Sequence, residues 1–203
     1  RVVIFSGFKG VLDLLEDYCG LRRHKYLRLD GSTNRVQRAI NMAQFQREGS
    51  KYFVFMMTTR AGGLGITLNR ADTVVLYDSD WNPQADLQAM DRVHRIGQRR
   101  PVHVYRLVTR GTVEDRLVQR AQKKLYLDRM VNRGSTAMAD ELESVSKDEL
   151  LKTLKFGCHA VFDPEAEEQE LTDAQLAGLM DRSGMTGPDG RPAPPQQQQG
   201  EDG

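Results

Sequence analysis

The chain of 203 residues is 39% apolar and 28% charged, enough for one sizeable core with an appendage and too short for two full domains. No apolar run approaches the ~20 residues of a membrane-spanning helix, and the opening RVVIFS lacks the zones of a secretory leader, so a soluble, intracellular chain is expected. Cys19 and Cys158 lie far apart, and His24, His94, His103 and His159 show no ligand spacing with thiols or acids, which points away from a disulfide framework and from a metal site.

The net charge of +1 conceals a partition. Residues 1–133 carry 24 Lys and Arg against 13 Asp and Glu, whereas residues 134–203 carry 5 against 15. A basic domain therefore precedes an acidic tail. On charge alone the ordinary reading is a solvated surface with a solubilising tail; the alternative is a domain that meets a polyanion and a tail that competes for the same surface.

In chain order, RVVIF reads as a strand, GVLDLLEDYC as an amphipathic helix and YLRL as a second strand. STNRVQRAINMAQFQ opens with hydroxyl caps and carries Val36, Ile40 and Phe45 as a loosely helical stripe. YFVFMM is a third strand, ending in Thr58, Thr59 and Arg60, with Gly62, Gly63 and Gly65 close behind. Glycines at the carboxyl end of a strand let backbone N–H groups approach phosphate oxygens. No Gly-Lys-Ser or Gly-Lys-Thr occurs anywhere, so the turn is not a P-loop.

TVVLY forms a fourth strand. Beyond it Asn82 caps, Pro83 suits a first helical turn and Gly97 stops a helix predicted over 83–96. At helical spacing Gln88, Arg92 and Arg95 share one stripe, and Leu87, Met90 and Val93 another. Two guanidinium groups three residues apart can grip one phosphate from two directions, although an isolated pair is ordinarily solvated surface.

VHVYRLV is the fifth strand, and TVEDRLVQRAQKKLYLDRMV a long helix capped by Thr112 with Asp115 three residues on. Residues 134–145 form a polar break. SKDELLKTLKFG opens with a Ser146–Glu149 capping box, and TDAQLAGLM repeats the device with Thr172 and Gln175. From Ser183 the Pro-, Gln- and Gly-rich sequence cannot bury a core and is expected to be disordered. Several strands are apolar almost continuously, which predicts an α/β fold: a parallel sheet covered by helices on both faces.

TTRAGGLGI, DSDWNP and QAMDRVHRIGQ, in that order, resemble motifs five, five-a and six of the SWI/SNF-type chromatin-remodelling ATPases of helicase superfamily two. RVVIFS resembles motif four, LRLDGST the segment after it, and LLKTLKFG and LTDAQLAGLMDR resemble helices that follow the core in the imitation-switch (ISWI) and chromodomain-helicase-DNA-binding (CHD) subfamilies. The likeness covers about residues 1–182. It implies a RecA-like helicase C-terminal lobe over 1–133, an acidic helical extension over 134–182 and a disordered tail over 183–203.

The resemblance further implies one half of an ATP-dependent DNA translocase that remodels nucleosomes. Arg92 and Arg95 match the arginine fingers, Gln88 and Gly65 border the nucleotide, and Gly31, Ser32, Thr33, Thr59, Arg60, Gly63 and Trp81 match positions that meet DNA. ATP and Mg2+ would be bound mainly by a first RecA-like lobe of a longer chain, without which this chain is expected to be inactive. Partners implied are double-stranded DNA, the nucleosome and subunits of a remodelling complex, in the nucleus, with no membrane partner. Trp81 could instead fill the base of the next helix. Gly7 replaces the family's usual glutamine, which puts a contact of motif four in doubt; TTR stands for the commoner STR, and Val93 for the usual alanine. A non-catalytic module that binds DNA, nucleosomes or a motor subunit is the alternative, while Gln98 and the upstream DSDWNP argue against an RNA helicase.

Overall fold

The computed structural model describes residues 1–61, 65–131 and 171–182. Val54, Phe55, Met56, Met57 and Thr58 form strand β3 and are buried without a break, because β3 lies inside the sheet between two neighbours. The other strands are β1 (Val2–Ser6), β2 (Tyr26–Leu29), β4 (Thr73–Leu76) and β5 (His103–Arg106). They run in the spatial order β2-β3-β1-β4-β5, and every pair is parallel. All five apolar runs of the sequence are thus strands, and the parallel sheet explains their near-continuous hydrophobicity.

Alternate side chains of β3 enter two separate cores. Phe55 and Met57 join Val3, Phe5, Leu29, Phe45, Leu68, Val74, Leu76, Ala89 and Val93 in one cluster. Val54 and Met56 pack with Leu12 and Cys19 in the other. Helix α1 (Lys9–Leu21) therefore covers one face, and α2 (Arg35–Gln46) with α3 (Pro83–Met90) and the 66–71 segment covers the opposite one. Each fully buried Phe, Leu or Met contributes about 1.5–3 kcal/mol.

Helix α2 departs from the expectation in two ways. Its cap is Asn34, whose side chain accepts the Gln37 N–H at 2.8 Å, because the Ser32 and Thr33 hydroxyls are already bonded to Asp30. Of the predicted stripe only Phe45 is buried; Val36 and Ile40 stand exposed, and Asn41 takes the inner position, donating to the Arg28 carbonyl at 2.9 Å.

Helix α3 is shorter than predicted. It starts at Pro83 behind the Asn82 cap, as its residues require, but ends at Met90 rather than 96. The Arg92 carbonyl is taken by the Leu68 N–H at 2.8 Å, and Arg92 and Val93 bond back three residues instead of four. Gly97, at φ +98°, closes the turn. On the inner face Asp86, Ala89 and Val93 are buried, whereas Leu87 is only half-buried.

Helix α4 (Val113–Val131) follows β5; its Glu114 N–H meets the Thr112 hydroxyl at 3.2 Å, and Leu117, Val118 and Ala121 are buried. Helix α5 (Asp173–Met180) carries the predicted capping box, with Thr172 and Gln175 exchanging bonds. The helix expected over 146–157, the polar break over 134–145 and the tail from 183 lie outside the described residues.

Candidate functional site

Because all five strands are parallel, the loops that follow them come to the carboxyl end of the sheet. Along that edge come Asp30–Thr33 after β2, Thr59–Arg60 after β3, Ser6–Phe8 after β1 and Asp78–Trp81 after β4. The predicted DNA positions Gly31, Ser32, Thr33, Thr59, Arg60 and Trp81 are therefore brought to one edge; Gly63 lies outside the described residues.

Their side chains are not equally available. Asp30 is buried and organises its own turn: it accepts from the Ser32 N–H at 2.8 Å and the Ser32 hydroxyl at 2.5 Å, and its N–H donates to the Thr33 hydroxyl at 3.0 Å. The two bonds from Ser32, with help from Arg28 at 2.9 Å, hold the Asp30 carboxyl down at about 2 against the opposing effect of burial. The Ser32 and Thr33 hydroxyls are thus turn-formers, which leaves the backbone N–H of Gly31 and the open loop face toward solvent.

Arg60 makes a two-bond fork on Asp80, Nε to Oδ2 at 2.9 Å and Nη2 to Oδ1 at 3.0 Å. Asp80 is held in turn: its Oδ1 accepts the Asn82 N–H at 2.9 Å, and its own N–H donates to Asp86 Oδ1 at 3.2 Å. Asp86 is 1% exposed, and its other oxygen lies 3.4 Å from Arg106 on β5. Burial raises the Asp86 carboxyl above its ordinary value, with the Arg106 charge opposing that rise. Trp81 projects from this segment 54% exposed, so it does not fill the base of α3.

Gly7 also has a definite environment. Its N–H donates to Asp78 Oδ1 at 2.7 Å, while Ser6 hydrogen-bonds to Asp78 Oδ2. A Cβ at this position would stand 3.2 Å from Asp78 Oδ1. A side chain here would press on the bond that joins the ends of β1 and β4.

The residues expected to serve as fingers converge on one open cavity of about 790 Å³. Gln88, Arg92 and Arg95 form one wall, and Thr59, Arg60 and Gly65 another. The predicted stripe thus survives the early end of α3, because the turns over 91–96 keep both arginines on the cavity side. Thr59 is buried and faces this cavity rather than an open surface. Gly65 adopts φ +100°, a left-handed conformation that L side chains rarely take, with open space beside it.

Among the described residues that line the cavity with Arg60, Arg92 and Arg95, Asp91 is the one carboxylate. Burial, and the neighbouring charge of Arg95, depress the pKa of Arg92. Arg95 is exposed and only loosely tethered, by contacts of 3.3 Å to the Thr67 hydroxyl and 3.4 Å to the Ile66 carbonyl. An arriving anion would relieve the repulsion between the two guanidinium groups, and at Arg95 it would displace only loose contacts.

The turn that carries them is fixed by Gln98, whose side-chain amide donates to the Ala71 carbonyl at 2.6 Å and whose oxygen accepts the Arg100 N–H at 3.0 Å. Sequence reasoning passed over Asp80, the partner of Arg60, although it lies within the quoted DSDWNP. It also passed over Asp91, His94 and Ile96 in the cavity wall. Among the described residues no three His, Cys, Asp or Glu are placed to hold a metal ion, and no helix is long and apolar enough to cross a membrane.

Residues 1–97 match the family model described as the helicase conserved C-terminal domain. The chain is 50% identical over 180 residues to the ISWI chromatin-remodeling complex ATPase ISW2 of Saccharomyces cerevisiae, covering 89% of this chain and 16% of that protein. It is 45% identical over 194 residues to human chromodomain-helicase-DNA-binding protein 1, covering 90% of this chain and 11% of that protein. The crystal structure of the C-terminal part of the Fun30 ATPase domain superposes with a TM-score of 0.56 at 39% identity, covering 59% of this chain and 38% of that one. The chain spans no more than 17% of the length of the first of these curated relatives. With the parallel five-stranded sheet, these matches make residues 1–97 a helicase conserved C-terminal domain, in a chain similar to the ISWI and CHD members of the SWI/SNF-type chromatin-remodelling ATPases.

Proposed function

We propose that this lobe is the second half of an ATP-dependent DNA translocase that remodels nucleosomes in the nucleus. Arg92 and Arg95 act as fingers toward ATP and Mg2+ held mainly by a first RecA-like lobe in a longer chain, with Gln88 and Gly65 at the nucleotide's border. The carboxyl edge of the sheet, through Gly31, Ser32, Thr33, Arg60 and Trp81, follows the DNA backbone.

One observation carries this reading: two guanidinium groups, one half-buried, line an open cavity with a glycine-bearing loop after a parallel strand. ATP supplies the phosphoryl group; this chain's part is to hold positive charge where negative charge spreads. That needs no proton transfer, and it suits arginine because the guanidinium stays charged and binds in a fork. Contacts of the DNA edge are with backbone phosphates, so binding is salt-dependent and indifferent to sequence.

The test joins this lobe to a first RecA-like lobe and measures DNA-stimulated ATP hydrolysis. Arg92→Ala and Arg95→Ala should each lower kcat by about 10³-fold or more while nucleotide still binds. The chain alone should hydrolyse no ATP. DNA-stimulated hydrolysis by the purified chain, abolished by Arg92→Ala, would overturn the two-lobe reading.

A further inference from the structure

A second cavity, of about 540 Å³, lies at the amino end of the sheet, away from the Thr59–Arg60 edge. Arg1, Glu48, Asn69, Arg70, Arg99 and Arg100 line it together with the Gly97–Gln98 turn. No large apolar or aromatic side chain is in the lining, so it offers nothing for a ring or base to stack on.

Its arginines are of two kinds. Arg1 and Arg100 are committed to the fold: Arg1 donates to the Phe45 and Arg47 carbonyls at 2.7 and 3.1 Å, and Arg100 pairs with Asp72 at 2.7 Å and donates to the Arg70 carbonyl. Arg70 and Arg99 are exposed, and among the described residues their guanidinium groups meet no carboxylate. Burial and the like charges of Arg70 and Arg100 together work against the charged form of Arg1. Among the described residues Glu48 is the one carboxylate in the lining, and Asp72 stands behind it, so positive charge is in excess.

The excess extends across the whole end of the sheet. Residue 1 and the segments 22–25, 47–51, 70–72 and 99–100, one ahead of each strand, carry nine Lys and Arg against Glu48 and Asp72. With strands spaced at ~4.8 Å, that band is about 19 Å wide. A single small anion would satisfy only the cavity, whereas a repeating polyanion matches the band.

We propose that this cavity is a second phosphate site, through which the amino end of the sheet takes the backbone of a duplex DNA segment separate from the one at the carboxyl edge. The assignment rests on the DNA-binding reading above. Arg70 and Arg99 supply the forks, and Arg1 and Arg100, fixed by the fold, set the field behind them.

The test compares the 203-residue chain with its Arg70→Gln/Arg99→Gln double variant in anisotropy titrations of a duplex from about 50 to about 200 mM salt. Among the described residues neither side chain has an internal partner, so thermal unfolding should match the wild type; single Arg99→Gln serves if the double variant melts early. The expected result is about tenfold weaker binding at the lowest salt, and a log–log salt slope shallower by about 1 to 2. Wild-type binding with an unchanged slope in the variant overturns this assignment alone. Failure of the wild-type chain to bind DNA would sink the DNA reading and this assignment with it. If calorimetry shows that the variant loses only inorganic tripolyphosphate, with its DNA slope intact, the cavity takes a free phosphate and the duplex assignment is wrong.

Discussion

Arg60 and Asp80 hold each other in a two-bond fork at 2.9 and 3.0 Å across 20 residues of chain, one at the end of β3 and the other ahead of α3. A residue proposed to follow DNA is therefore already paired in the absence of DNA. Asp80 also fixes the start of α3 through the Asn82 N–H, so the carboxylate links the Arg60 guanidinium to the helix that leads to Arg92. Arg60 is 78% exposed although Asp80 is only 8% exposed, so solvent screens the guanidinium and the pair is worth about 1 kcal/mol, little enough for a phosphate to replace. Asp80→Asn should release Arg60 and tighten DNA binding at low salt by about threefold, with the gain vanishing at high salt. Anisotropy titrations decide it; weaker binding in the variant would mean that the fork itself is the DNA-competent arrangement.

The two buried carboxylates of this edge should respond to acid with opposite signs. Asp30 is held at about 2, below its ordinary 3.8; its folded form binds fewer protons than the unfolded chain, so its contribution is complete above about pH 4 and is lost as pH falls through about 2. The shift corresponds to about 2 kcal/mol. Urea unfolding should therefore show Asp30→Asn destabilised by about that amount at neutral pH, and the gap should close toward pH 2. Asp86 is raised by burial, so its folded form binds protons sooner and acid stabilises it from its raised pKa down to about 4. Asp86→Asn should lose that gain, and its stability should fall relative to wild type as pH drops through the window. A gap between wild type and Asp86→Asn that does not change with pH would refute the burial argument.

The strands could be read from residues alone because each buried parallel strand is almost wholly apolar; VFMMT in β3 needs no partner to be recognised. The caps Asn82 and Thr172 were equally legible, since side-chain capping is local. What escaped depends on contacts between distant residues. The end of α3 is set by Leu68 taking the Arg92 carbonyl, 24 residues away. Ser32 and Thr33 looked like helix caps until Asp30 claimed them. Arg60 looked free because Asp80 is distant in sequence. The cavity was half legible: helical spacing put Gln88, Arg92 and Arg95 on one stripe, but nothing local showed that Thr59 and Gly65 would face them.

Gly97 and Gly65 offer a matched comparison of strain. Both are left-handed, at φ +98° and +100°. A Cβ on Gly65 meets nothing within 4 Å, whereas one on Gly97 would lie 2.9 Å from Asn69 Nδ2. Asn69 cannot simply swing aside, because its Oδ1 accepts from Gln46 at 2.7 Å. Gly65→Ala should cost about 1 kcal/mol of stability from the backbone alone. Gly97→Ala should cost about 2 kcal/mol or more and should also disturb the turn that carries Arg95. Denaturant unfolding of the two variants, side by side, measures the difference directly, and equal losses would remove the contact with Asn69 from the account.

Arg92 and Arg95 should separate when stability and catalysis are measured together. Arg92 is half-buried, its charged form opposed first by burial and then by Arg95, so Arg92→Ala removes buried side-chain surface as well as charge. Arg95 is exposed and weakly tethered. Arg95→Gln relieves a like-charge pair worth about 0.3 kcal/mol and should leave the melting temperature unchanged or raise it by about 1 to 2 °C, while Arg92→Ala should lower it. On the lobe joined to its ATP-binding partner, both variants should nevertheless lose kcat by about 10³-fold or more, and Arg92→Lys should recover packing without recovering rate, because an ammonium lacks the planar fork. If hydrolysis instead tracks melting temperature across the three variants, the arginines are structural, and the cavity is not where the phosphoryl charge is met.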